Sequence, residues 1–495
     1  MCIRDSALTA SCGGEPPRPT GVLLISIDSL RADHLSCYGY QSPTRPGVAT
    51  TPNVDRLLAE EGFLFERAVS TTSWTLPAHM ALLTGMPDEL HGVLDAPDRL
   101  HPSQRLLAEI FRDVGWRTAG FYSGPNVHPW WGFGRGFERY VDCSAHAVED
   151  PEVFNVQNPD GFVRVKDLHD RSHEGITGPR VVEEFTQWFE GLGPDEPFFA
   201  FTHFWDVHYD FTPPPEHDIF DPHYTGTVTG EDFKNIHERI QMPVNWADVH
   251  HIRALYDGEI HFTDHNVGLI LALLERSGRL DDTLVIFTSD HGEEFLEHKV
   301  FGHKNSLFEE VMHVPLILRY PPAVPRNERD DALVSLVDVA PTILDLCGLP
   351  RPERMWGRSL RPAFEHELEH RDAPMELTSR PFRLHMRGLH AGDHKVIRTA
   401  VGRRGDFGVY DLDKDPDEGH LLKASVIGHQ DPRLVAAKRL WQQLDRLAET
   451  YDRVDAGEMP EALQADLSAA GYTWSGNEDE PDQPDQPDQP KQNEE

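Results

Sequence analysis

Asp28 directly follows Val22-Leu23-Leu24-Ile25-Ser26-Ile27, a short and nearly continuous apolar run. Asp290 and His291 follow a second such run, Thr283-Leu284-Val285-Ile286-Phe287-Thr288, within Ser289-Asp290-His291-Gly292-Glu293. Runs of this kind read as buried parallel strands, and a doubly wound sheet gathers its ligands at the carboxyl ends of its strands. Alone, Asp28 reads better as a loop cap. Together with Asp290 and His291, it reads as part of a carboxylate and imidazole set for a divalent metal. A third stretch, Ser73-Trp74-Thr75-Leu76-Pro77-Ala78-His79 running on to Gly85, sets the Thr75 hydroxyl just ahead of a helix with Pro77 in its first turn. The free N–H groups and dipole there favour an anion beside the hydroxyl. A metal bonded to the Thr75 oxygen would lower its pKa and supply a nucleophile near neutral pH. The competing reading is that Thr75 only caps the helix.

The surrounding pattern supplies the elements that must hold these groups. Regular structure is expected from Gly21, with a helix from Thr51 to about Glu61 that has Thr51 as N-cap and Pro52 in its first turn. A strand over 64–69 and a short helix from Pro77 to Leu83, stopped by Gly85, come next. Helix 103–113 and strand 116–122 continue a βα alternation that predicts an α/β fold. Strand 197–202, a long amphipathic helix over 249–277 and strand 283–288 follow. Beyond them lie a helix near 305–312, a strand at 314–319 and a helix from Val334 to Leu346. From about 376 the texture changes to shorter polar strands closed by helix 432–449, which predicts a smaller C-terminal subdomain. The irregular stretch 125–195 reads as surface loops that shape a pocket mouth or as an uninformative insertion, and the leaving-group pocket is expected in 125–195 and 210–248.

Composition narrows the function further. The chain has 495 residues, 39% of them hydrophobic, and a formal net charge of −37, which repels a polyanion and argues against a nucleic-acid partner. Cys2, Cys12, Cys37, Cys143 and Cys347 form no CxxC pair, so a zinc ribbon is excluded and a disulfide framework disfavoured. Residues 1–20 read as a leader: Ala7 to Gly14 resembles the end of a bacterial lipoprotein signal, with Cys12 as a possible lipid anchor. Periplasmic or cell-surface placement is the expectation that goes with it; a plain disordered leader is the alternative. Residues 477–495 carry eight acidic residues against one lysine and read as a disordered tail.

Asp28-Ser29-Leu30-Arg31-Ala32-Asp33, Thr51-Pro52-Asn53-Val54-Asp55-Arg56-Leu57, the Thr75 motif and Thr288-Ser289-Asp290-His291-Gly292-Glu293 stand in an order that resembles the sulfatase family of the alkaline phosphatase superfamily. Gly302-His303-Lys304, Glu309-Glu310, Val314-Pro315 and Tyr410-Asp411-Leu412 with Asp415-Pro416 extend the resemblance over about residues 21–475. It implies an alkaline-phosphatase-like large sheet flanked by helices (21–375) and a smaller C-terminal α+β subdomain (376–476). It also implies Asp28, Thr75, Asp290 and His291 around the metal, with Thr75 as nucleophile. His208 matches a histidine that contacts the ester or its leaving group, and Lys304 or His303 the basic contact to the bound oxyanion.

Four positions depart from that pattern. Sulfatases have a cysteine, matured to formylglycine, where Thr75 stands, and an arginine where His79 stands. They have a second aspartate in place of Ser29 and often asparagine in place of His291. Fewer carboxylates and an added imidazole favour manganese or zinc over calcium or magnesium. The expectation is a hydrolase of sulfate or phosphate esters, phosphate favoured, acting on a small-molecule or carbohydrate ester. A phosphoryl-group transferase of the same superfamily and a non-catalytic binding relative are the alternatives.

Overall fold

The computed structural model describes residues 17–144, 177–230, 245–380, 383–401, 406–454, 459–461, 463–464 and 467. Cys12 with its leader and the 477–495 tail lie outside the described residues, as do parts of both expected pocket-mouth loops.

The centre is an eight-stranded sheet. Its strands are β1 (Gly21–Ile27), β2 (Phe63–Val69), β3 (Arg117–Tyr122), β4 (Arg139–Asp142), β5 (Phe198–Phe204) and β6 (Thr283–Ser289). A two-stranded hairpin, β7 (Glu294–Phe295) and β8 (Phe301–Gly302), separates them from β9 (His313–Arg319) and β10 (Glu328–Ser335). The order across the sheet is β10-β2-β9-β6-β1-β5-β3-β4. β9 runs antiparallel to β6 and β2, while the other pairings are parallel.

All seven residues of β1, β5 and β6 are buried, because helices cover both faces of the sheet. The two-residue period of a strand divides β1 between two cores. Val22 and Leu24 face the Thr75–Thr84 and Val339–Leu346 helices; Leu23, Ile25 and Ile27 face the long helix Trp246–Arg276.

A five-stranded antiparallel meander follows: β11 (Ala373–Ser379), β12 (Leu384–Ala391), β13 (His394–Val401), β14 (Phe407–Asp411) and β15 (Leu422–Lys423). The Pro432–Ala448 helix packs Leu434, Ala437 and Trp441 against Leu389, Val396 and Val409 of this sheet. The architecture is therefore the alkaline-phosphatase-like α/β large sheet with a C-terminal α+β subdomain that the sequence implies. Lys395 of the meander is fully buried and joins it to the rest, 2.6 Å from Glu309 Oε1 and 2.9 Å from Glu418 Oε1.

Several local expectations change. The stretch 125–195, expected to be loop, holds β4 and a 14-residue helix over Thr177–Glu190, and the helix expected from 103 begins only at Leu107. Val334 and Ser335 end β10, a short 3-10 turn covers Leu336–Asp338, and the helix begins only at Val339. The first half of β10 is charged and exposed at the sheet edge, so it carries no apolar pattern to announce a strand. Thr51 makes no capping bond either: its hydroxyl turns to Asp55 Oδ1 at 2.8 Å. Asp264 of the long helix instead accepts the N–H groups of Asn53 and Val54, at 3.0 and 2.8 Å.

Candidate active site

β1 and β6 are parallel neighbours with Ile27 opposite Ser289, so the next residues, Asp28 and Asp290, leave the sheet side by side. Ser29 adopts a left-handed φ of 56°, which points its N–H at Asp290 Oδ1, 3.1 Å away. That costly conformation is held by Tyr256, whose hydroxyl donates to Ser29 O (2.8 Å) and accepts from Arg31 N (2.9 Å). Arg31 in turn forks onto Asp33 at 2.8 and 2.7 Å and reaches Glu297, which explains those members of the Asp28–Asp33 motif.

Thr75 is the first residue of its ten-residue helix, and Trp74 occupies the N-cap position with no side-chain capping bond. The capping alternative for Thr75 is therefore not what the structure contains. Its Oγ1 lies 3.3 Å from Asp28 Oδ2 and 3.4 Å from His291 Nε2. Gly85 ends the helix at φ 65°, the left-handed position that favours glycine.

Asp28, Asp290 and His291 each place a donor atom within 4.8 Å of the others, and all are fully buried. His291 Nδ1–H donates to Gly292 O at 2.8 Å, which leaves the Nε2 lone pair facing Asp28, Asp290 and Thr75. Asp290 Oδ2 is buried without a hydrogen bond. Two carboxylates, one of them with an oxygen lacking a hydrogen bond, and a lone-pair imidazole nitrogen form a donor set that fits a divalent cation. Burial pushes the Asp28 carboxyl up to about 6, against the opposing pull of His291 and of hydrogen bonds from Ser29 and Thr75.

His79 stands one turn behind Thr75. Its Nδ1 donates to Thr75 O at 3.0 Å and lies 3.4 Å from Asp290 Oδ2, while Nε2 accepts from Ser26 Oγ at 3.0 Å. Burial lowers its pKa to about 3, so the ring is neutral. His303 and His208 continue a file of imidazoles from His291, with ring centroids 4.5 Å and then 4.9 Å apart. His303 Nδ1 is 3.1 Å from Glu293 Oε2, and His208 stacks on Trp205 at 3.8 Å. Burial drives Glu293 up and His303 down, so both tend to neutrality. Lys304 Nζ rests over the Trp74 ring at 3.4 Å and pairs with Asp95 at 3.2 Å.

His203, which belongs to no recognisable motif of the sequence, is a further neighbour. It lies on β5 opposite Ser26, and its Nε2 is 3.2 Å from Asp28 Oδ2. Its signal is its place near the end of a strand adjoining β1, which only the pairing reveals.

The profile of the family described as "Sulfatase" matches residues 20–349, about two thirds of the chain. That of the N-sulphoglucosamine sulphohydrolase C-terminal region matches 296–450. The chain belongs to the sulfatase family of ester hydrolases. It is 24% identical over 498 aligned residues to the N-acetylglucosamine-6-O-sulfatase of Bacteroides thetaiotaomicron, covering 86% of this chain and 84% of that protein. Among solved structures it resembles the phosphonate monoester hydrolase of Agrobacterium radiobacter (TM-score 0.68, 24% identity, 87% of this chain and 96% of that one). Another is a protein in complex with its substrate D-glucosamine-2-N,6-O-disulfate (TM-score 0.69, 20% identity, 88% and 99%).

Proposed function

We propose that this chain is a metal-dependent hydrolase of phosphate mono- or diesters that uses Thr75 as its covalent nucleophile. The observation that carries the reading is the Thr75 hydroxyl. It is fully buried at a helix N-terminus, within 3.4 Å of both Asp28 and His291, and not spent on capping. A divalent cation bound by Asp28, Asp290 and His291 would lower the pKa of that hydroxyl and neutralise charge on the ester oxygens.

The remaining roles belong to side chains of this chain. Thr75 Oγ1 attacks phosphorus and the alcohol leaves; water then cleaves the phosphothreonine in line. His79, donating to the Thr75 carbonyl, positions the nucleophile. His203 holds Asp28. From the family resemblance, His208 contacts the leaving group and exchanges its proton, and Lys304 or His303 contacts the oxyanion.

Phosphate is favoured over sulfate for a chemical reason. A formylglycine hydrate expels sulfate by re-forming its aldehyde, an exit that threonine lacks. A small or carbohydrate ester fits the family, since the Bacteroides relative carries a sugar sulfatase name. The test is turnover of aryl phosphate, aryl phosphodiester and aryl sulfate by chelator-stripped protein given back manganese, zinc, calcium or magnesium. Phosphate turnover restored by manganese or zinc is expected. Full activity without metal, or aryl sulfate cleaved faster than both phosphate classes, would sink the reading.

A further inference from the structure

A second group of metal-type donors lies just beyond this site. Glu294, His298 and Glu310 each bring a donor atom within 4.8 Å of the other two. Glu294 is fully buried; its Oε2 accepts from Ser306 Oγ at 3.0 Å, and its Oε1 has no hydrogen-bond partner. His298 Nε2 is 3.2 Å from Glu310 Oε2, and its ring is fixed by stacking on Phe308 at 3.5 Å. The side chains of His298 and Glu310 keep 11% and 14% of their surface exposed, which gives an ion a way in.

Two carboxylates so close repel each other, and a buried carboxylate oxygen without a donor is costly. A cation removes both penalties at once. The donor set, two carboxylates and one imidazole, is that of Asp28, Asp290 and His291 over again, and it selects the same borderline ions.

We propose that Glu294, His298 and Glu310 bind a second divalent cation, of the zinc or manganese type, which holds the β7–β8 hairpin in place. The hairpin connects His291 to His303 and Lys304. It carries Leu296 and Lys299 at left-handed φ of 73° and 68°, and Lys304 follows it at 61°, a run that side-chain-bearing residues adopt reluctantly. Glu310 also anchors the stretch before the hairpin, its carbonyl accepting from Glu293 N at 3.1 Å. An ion joining Glu294, the hairpin turn and Glu310 therefore fixes the segment that presents His303 and Lys304. Binding there needs neither the proposed catalytic metal nor Thr75, so a count of bound ions is independent of the proposed reaction.

The experiment is a count of bound ions. Purified full chain is stripped with chelator, dialysed against zinc chloride or manganese chloride, and its metal content measured by mass spectrometry. The His298→Ala/Glu310→Gln variant is expected to hold one ion per chain fewer than wild type with at least one of the two metals. Equal content in the two proteins with both metals would overturn the proposal. Should that variant fail to fold, Asp28→Asn/Asp290→Asn carries the test, since it removes the other site and leaves this one. One retained ion per chain supports the second site, and no retained ion with either metal overturns it.

Discussion

Replacing Thr75 with alanine separates a nucleophile from a structural hydroxyl. The structural cost should be small. The two contacts of Oγ1, at 3.3 and 3.4 Å, are long for hydrogen bonds, so their net loss is worth about 0.5–1 kcal/mol. Removing the buried methyl adds about 1 kcal/mol, partly offset by a few tenths from the better helix propensity of alanine. Asp28, Asp290 and His291 stay, so the variant should keep its fold and its metal. Turnover behaves differently. Loss of a covalent nucleophile lowers kcat by on the order of 10⁵- to 10⁶-fold, about 7–8 kcal/mol of barrier. Thr75→Ser keeps the oxygen but frees χ1, and should retain turnover within about tenfold. Steady-state assay with an aryl phosphate, melting curves and acid-quench mapping of a phosphopeptide containing Thr75 give the three readouts. The nucleophile assignment fails if Thr75→Ala keeps more than about one-hundredth of wild-type turnover, or if Thr75→Ser is as dead as Thr75→Ala.

Further outcomes follow from the same geometry. Burial pushes the Asp28 carboxyl up from its ordinary 3.8 to about 6. A raised carboxylate stabilises the fold below its unfolded pKa, and that contribution is lost as pH rises through about 6. A cation needs the ionised form, so added metal should raise the melting temperature more near pH 7 than near pH 5, and equal shifts would contradict this. His203→Ala removes the ring beside Asp28 Oδ2 and should weaken metal affinity or activity by about 10–100-fold, with titration of metal-stripped protein as the check. Lys395→Met strands Glu309 and Glu418 around a fully buried position and should cost about 3–5 kcal/mol in urea unfolding; a change under about 1 kcal/mol would refute the pairing argument.

What the sequence made legible were features written in consecutive residues. The apolar runs before Asp28 and Asp290 announced two buried strands, and their carboxyl ends announced where ligands gather. Register was not legible. That Ser26 faces His203, and that Ile27 faces Ser289, depends on pairings made across more than a hundred residues, so His203 went unnoticed while His208 drew attention. The same holds for Asp264, which caps the Thr51-Pro52-Asn53 turn from a helix far along the chain. A local N-cap reading credited Thr51 with that work because the true partner cannot be seen in the sequence. At β10 the hydrophobic pattern misled for the opposite reason: an edge strand with a solvent-facing half needs none.

The departures from the sulfatase pattern make physical sense as a set. That pattern places a guanidinium at position 79 and an additional carboxylate at position 29, and this chain has a neutral side chain at each. Ser29 donates from its hydroxyl to Asp28 Oδ1 at 3.0 Å, and His79 is held neutral by burial. Either exchange alone would upset the charge of a buried pocket, because a desolvated ion without its counter-charge costs several kcal/mol. Made together, they take away one negative and one positive charge and leave the balance unchanged. His79, contacting Ser26, Thr75 O and Asp290, fixes the turn from which Oγ1 emerges. His291 adds a lone pair 3.4 Å from that oxygen. A pocket with no chemistry at residue 75 would have no reason to keep its charges balanced and its donors near that residue. This one does both, which supports the proposed role of the Thr75 hydroxyl as a nucleophile whose phosphoryl ester water would cleave.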